Sequence, residues 1–168
     1  MEMRVIRKQH NSRLCFICGV KNRFGLDARF YEMEDNSLLA IFHPKEEHQS
    51  YPGRLHGGIA SAILDETIGR AVRISHREEV WGVTLELKTK YLKPIPLDSP
   101  LKIIARITSE SSRFFEGSGV LILSTGEIAV EAEGRYLKLP IEKISDFDPA
   151  EAEWKIIDEP GDPASINL

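Results

Sequence analysis

His56-Gly57-Gly58-Ile59-Ala60-Ser61-Ala62-Ile63-Leu64-Asp65-Glu66-Thr67-Ile68-Gly69-Arg70-Ala71-Val72-Arg73-Ile74 is the stretch on which the fold turns. Ala60, Leu64, Ile68, Ala71 and Val72 recur at the three-to-four spacing of one helical face. This spacing predicts a helix over Ile59–Ile74. Glu66 and Arg70 stand four apart and support it as a side-chain pair. The first turn carries no carboxylate, so its free N–H groups are open to something outside the chain.

Outward from the helix the period drops to two. Val83, Leu85 and Leu87 alternate with Thr84, Glu86 and Lys88, which predicts a strand with one wet face. Pro94, Pro96 and Pro100 mark its exit, and Leu101–Thr108 alternates again. Phe114–Leu123 and Glu127–Leu139 predict a hairpin closed at Ser124-Thr125-Gly126. Upstream, Gly25–Phe42 predicts two strands around Glu34-Asp35-Asn36-Ser37, followed by a loop from His43 to Gly58. Two strands, one helix and about four strands give an α+β pattern: an antiparallel sheet of five or six strands around one long helix.

The ends differ from this centre. Residues 1–24 form an N-terminal arm, basic through Arg4, Arg7, Lys8 and Arg13, with a turn at Cys15-Phe16-Ile17-Cys18-Gly19. Residues 25–139 form the domain. Residues 140–168 carry eight acids against two lysines and read as an acidic extension, surface-hugging or partly disordered.

At 168 residues the chain has room for one domain and modest extensions. A net charge of −4 and a pI near 5.8 argue against a nucleic-acid binder, which needs a basic face for phosphates. Apolar runs such as Ile59–Leu64 are too short to cross a bilayer, so no membrane partner is expected. MEMRVIRKQHNSR lacks the apolar core of a secretory signal, and two cysteines make no disulfide framework. A cytoplasmic protein is the expectation.

The chemistry concentrates in His48-Gln49-Ser50-Tyr51-Pro52-Gly53-Arg54-Leu55-His56-Gly57-Gly58, which runs into the helix. A helix N-terminus with two glycines lets a ligand approach backbone N–H groups closely, which suits a polarised carbonyl or an oxyanion. Asp65 falls at the border of the apolar face beside the small residues Ser61 and Gly69. Glu66 falls between Arg70 and Arg73. Asp65 is thus the poorly compensated acid and the better catalytic candidate. His43, His48 and His56 match no metal-ligand pattern and read as solvated loop histidines. Cys15 and Cys18 have the spacing of half a zinc knuckle, with His10 the nearest further ligand in sequence. They read as reduced cysteines in a tight turn, and no metal is assigned. G-x-S-x-G, the P-loop and the dinucleotide fingerprint are missing from the sequence.

His56-Gly57-Gly58 with an acid nine residues after the histidine resembles the hotdog-fold acyl-CoA thioesterases. The similarity is closest to the branch of 4-hydroxybenzoyl-CoA and phenylacetate-pathway thioesterases. Val83-Thr84-Leu85-Glu86-Leu87-Lys88-Thr89-Lys90-Tyr91-Leu92-Lys93-Pro94 is similar to that family's strand after the central helix. So are Cys15-x-x-Cys18-Gly19 with Asn22 and Gly25-Leu26, and the HQ-x-YPG-x-x-HGG string, to one subgroup. The resemblance spans roughly residues 15–139.

It implies hydrolysis of an acyl-CoA or related thioester to acid and thiol, without a cofactor. Gly57, helped by Gly58, would polarise the thioester carbonyl, and His56 would orient the loop. Asp65 would act as nucleophile or general base across a subunit interface, which implies a homodimer or homotetramer. Relatives carry Asn or Gln six residues before the histidine to position water; Ser50 stands there, with Gln49 beside it, and Gly69 replaces a threonine four residues after the acid. Gln49 and Ser50 are the candidates for that task. Lys88, Lys90, Lys93 and Arg113 are candidates for coenzyme A phosphates. Two other classes fit the pattern: a non-catalytic acyl-CoA-binding module, and a hotdog hydratase or dehydratase.

Overall fold

The two periods of the sequence become two layers. The computed structural model describes residues 2–167. Strands β1 (Glu2–Lys8), β2 (Arg29–Met33) and β3 (Leu38–Phe42) precede helix α1 (Gly57–Ala71) and the short helix α2 (Arg73–His76). Strands β4 (Trp81–Tyr91), β5 (Leu101–Glu110), β6 (Phe114–Ile122), β7 (Ile128–Leu139) and β8 (Ser165–Asn167) follow. They form one eight-stranded sheet in the order β4-β7-β6-β5-β3-β2-β1-β8, antiparallel throughout. The α+β expectation holds: one long helix lies across one face of an antiparallel sheet.

Helix α1 buries Ala60, Ile63, Leu64, Thr67, Ile68 and Ala71. They meet Phe30, Phe42, Leu101, Ile103, Phe115 and Leu121 of the sheet in a single core. Each large side chain removed from water there contributes about 1.5–3 kcal/mol, and this burial outweighs the helix's own propensity. The turn between β2 and β3 falls where expected, with Asn36 in the left-handed region (φ 61°) that asparagine tolerates.

Three features depart from the sequence reading. Helix α1 starts two residues earlier than the apolar spacing suggests, because the His56 side chain caps it: Nδ1 accepts the Gly58 N–H at 2.9 Å. The two glycines are therefore its first turn. Secondly, β4 does not alternate cleanly. Its register with β7 shifts between Thr84 and Glu86, a bulge that turns Thr84 toward α1 and leaves Leu85 52% exposed.

Thirdly, the sheet has eight strands, not five or six. Residues read as a basic arm pair with β2 as β1, and β8 of the acidic extension pairs with β1 in turn. The charges of the two ends compensate each other. Buried Lys8 donates to Glu159 (3.1 Å) and Asp162 (2.6 Å), while Arg7 pairs with Glu32 at 2.6 Å. Trp154 of the extension stacks on His10 (5.3 Å between ring centroids) and lies against Trp81 (5.4 Å). Ile166 covers a second apolar cluster of Met3, Tyr31, Met33, Leu39 and Ile104.

Deleting residues 150–168 strips partners from Lys8 and uncovers both aromatic and apolar surface. It is expected to lower stability by at least about 3 kcal/mol, read as a drop in the urea midpoint. An unchanged midpoint would mean that the docked extension contributes nothing.

Candidate active site

The loop before α1 is built around His48, which is buried. Its Nδ1 accepts the Lys45 N–H at 3.0 Å, its Nε2 lies 2.8 Å from the Phe24 carbonyl, and its own carbonyl accepts the His56 N–H at 2.9 Å. His48 is thus a buried post, not a solvated histidine; the loop wraps it because both ring nitrogens find backbone partners there. His56 is exposed and spends Nδ1 on Gly58. His48, with both ring nitrogens on backbone groups, offers no nitrogen to a metal.

That cap separates the two glycines. The Gly58 N–H is consumed by His56, whereas the Gly57 N–H has no acceptor among the described residues. Gly57 lies in a cleft of about 360 Å³ lined by Ser50, Tyr51, Arg54, Tyr91, Lys93 and their neighbours. Tyr91 closes one side: its hydroxyl donates to the Gly57 carbonyl and meets Ser61 Oγ, each at 2.6 Å.

Asp65 sits two turns further along α1 and is partly buried. Thr84 Oγ1 donates to both carboxylate oxygens (2.9 and 3.1 Å), and the Tyr136 hydroxyl donates to Oδ1 at 3.0 Å. No cation pairs with it among the described residues. Burial pushes its carboxyl above the usual range, only partly countered by the Thr84 and Tyr136 hydrogen bonds. Glu66, by contrast, holds Arg70 at 2.7 Å.

Neither Thr84 nor Tyr136 is legible as a site residue. Thr84 occupies a position that alternation assigns to the wet face, and only the bulge redirects it. Tyr136 lies seventy-one residues from Asp65. The one trace is a pair of glycines: a Cβ at Gly134 would come within 2.6 Å of the Tyr136 ring and one at Gly69 within 3.2 Å. Gly69, where the family has threonine, makes room for that ring. Tyr91, Ser61 and Arg54 are likewise not legible as residues of the Gly57 cleft.

The other sequence candidates scatter. Ser50 and Lys93 line the Gly57 cleft, although Lys93 is bonded to Glu127. Gln49 supports the loop by accepting the Gly53 N–H at 3.3 Å. Lys88 and Lys90 are exposed and lie opposite Glu133 and Glu131 of β7, not on the Gly57 cleft. Arg113 is exposed where its carbonyl meets Lys138, opposite Gly82; Tyr91 is at the far end of β4, roughly 30 Å away at 3.3 Å per residue.

Tyr136 gives a pH prediction. Its hydrogen bond favours the ionised form of Asp65, so Tyr136→Phe raises the Asp65 pKa further. Any rate that needs the carboxylate then gains its acidic limb at higher pH than in the wild type. A limb that stays in place, or moves down, would disconnect Asp65 from the rate.

The fold is that of the hotdog thioesterases, and the family model of the thioesterase superfamily matches residues 52–128 of the chain. Among curated proteins it is 29% identical over 117 residues to the mouse acyl-coenzyme A thioesterase THEM4, covering 69% of this chain and 49% of that one. It is 29% identical over 113 residues to an uncharacterised Schizosaccharomyces pombe protein, covering 65% of this chain and 64% of that one. The chain thus spans about half to two thirds of the length of these relatives.

Among solved structures it is similar to RHA08564, a thioesterase superfamily protein (26% identity, TM-score 0.67, covering 74% of this chain and 63% of that one). The Bacillus halodurans protein BH2602, solved with CoA, shares the fold at 22% identity and TM-score 0.56, covering 63% of this chain and 72% of that one. No helix of the described residues is long and apolar enough to cross a membrane.

Proposed function

We propose that the protein hydrolyses an acyl-CoA thioester to a free acid and CoA. The observation that carries this reading is a donor and a base on one helix: an uncommitted Gly57 N–H at its start and an uncompensated, hydroxyl-held Asp65 within it. The Gly57 N–H and the partial positive charge of the helix start stabilise negative charge developing on the thioester oxygen. Asp65, its basicity raised by burial, takes a proton from the attacking water. Collapse of the tetrahedral intermediate expels the CoA thiolate, which takes up the proton. Coenzyme A as the thiol is supported by the name of the mouse relative and by the CoA in BH2602. Lys93 and Arg54, the two cations on the Gly57 cleft, are placed to meet its phosphates.

Asp65 is eight helical steps from Gly57, about 12 Å along the axis at 1.5 Å per residue. One carbonyl cannot be within reach of both groups of the same chain. The site therefore forms between two chains, the Gly57 of one facing the Asp65 of the other. The free edge of β4, eleven residues long and with Leu85 exposed, is the surface on which a second copy pairs. This makes the protein a homodimer or a dimer of dimers.

The test is a panel of acyl-CoA substrates with free thiol release as the readout. Turnover of at least one acyl chain, with the protein sedimenting as a dimer or larger, is the expected result. Tight acyl-CoA binding without thiol release would favour the non-catalytic binding module instead.

A further inference from the structure

We propose that Cys15, Cys18 and Glu66 form a binding site for a thiophilic divalent cation of the zinc class. The site lies apart from the Gly57 cleft and clamps the N-terminal segment to helix α1.

Along the sequence the two cysteines are two ligands short of a tetrahedral set, with His10 the nearest further candidate. In the fold His10 is stacked on Trp154, with Nδ1 at 3.4 Å from Glu78. The third group comes instead from α1. One ligand atom each from Cys15, Cys18 and Glu66 lies within 4.8 Å of the other two. Tetrahedral zinc, with Zn–S of about 2.3 Å and Zn–O of about 2.0–2.2 Å, needs its donors about 3.5–3.8 Å apart. Closing that gap takes a shift of about 1 Å between donors.

The loop is already shaped as a chelating knuckle. Cys15 Sγ accepts the N–H groups of Ile17 and Cys18, each at 3.4 Å, and the Gly19 N–H closes the turn on the Cys15 carbonyl at 2.8 Å. A side chain at Gly19 would put Cβ 2.3 Å from that carbonyl oxygen, so the turn closes only with glycine.

Glu66 can serve both partners, because Arg70 Nε occupies Oε1 and leaves Oε2 to the ion. Arg70 and Arg73, both buried here, repel a cation, and the two thiolates together with Glu66 supply the opposing negative charge. A divalent ion that displaces two thiol protons leaves the local charge unchanged. Cys15 is only partly buried, which leaves a fourth position open to water. Such a clamp fixes α1 at the residue next to Asp65.

The test is a Co²⁺ titration of the full-length reduced protein, stripped of metal and followed by absorption. Thiolate-to-cobalt charge transfer and tetrahedral bands saturating at one ion per chain, and reversed by Zn²⁺, are expected. Cys18→Ser should abolish them. Glu66→Gln keeps an oxygen for Arg70 and so keeps the fold, but should weaken Co²⁺ binding by at least about tenfold. No charge-transfer band, an affinity unchanged by Glu66→Gln, or a Cys15–Cys18 disulfide in freshly isolated protein would each overturn the proposal.

Discussion

Asp65→Asn is expected to cut thioester turnover by about a hundred- to ten-thousand-fold, the range set by losing a general base. Asparagine keeps the shape and an oxygen for Thr84 and Tyr136, so the helix and β4 stay in place. It cannot take a proton from water. Stability should move the other way from activity. Burial raises the Asp65 pKa in the folded state above its unfolded value. The native state therefore binds that proton more tightly, and stability is lost as pH rises through the folded pKa. At neutral pH the ionised carboxylate is a cost that the amide removes. Asp65→Asn should thus unfold at the same temperature as the wild type or slightly higher, measured by calorimetry beside thiol-release kinetics. Glu66→Gln should cost far less turnover, because that carboxylate is engaged with Arg70. Equal losses in the two variants would remove the reason for assigning the base to Asp65.

Legibility in the sequence followed the range of the interactions. Helix α1 and strands β4 to β7 are legible because their periods of 3.6 and 2 are local consequences of facing one core. The start of α1 is misread by two residues because apolar spacing does not register a histidine cap. Strand β1 reads as an arm because its charges look solvated, yet their partners Glu159 and Asp162 lie some 150 residues on. At the candidate site, Gly57 and Asp65 are visible as a helix start and an uncompensated acid. Thr84 and Tyr136 are not, since a bulge and a cross-sheet approach bring them to the carboxylate. The same limit applies at the cysteines, where the third ligand atom comes from a helix whose facing depends on the whole core.

Gly57→Pro isolates the other half of the chemistry. Gly57 is the first residue of α1, the position where proline fits a helix best and where its missing N–H breaks no intrahelical bond. His56, at φ −64° and ψ 130°, already has the extended backbone that proline imposes on the residue before it. A Cβ there meets the Tyr91 ring at 3.4 Å, an ordinary contact. The substitution therefore spares the helix, deletes the donor and sets the ring Cδ where the N–H pointed. Turnover is expected to fall by at least about a hundred-fold, the lower end of the effect of removing one oxyanion donor, since the ring also crowds the place of the thioester oxygen. A variant that keeps full turnover would show that the carbonyl is polarised elsewhere. Mixing carries the argument to the assembly. Unfolded together and refolded in equal amounts, Gly57→Pro and Asp65→Asn chains should regain about a quarter of wild-type activity, since half the dimers are hybrids and each hybrid has one intact site. Sites formed within single chains would regain nothing, because every chain in the mixture then lacks either its donor or its base.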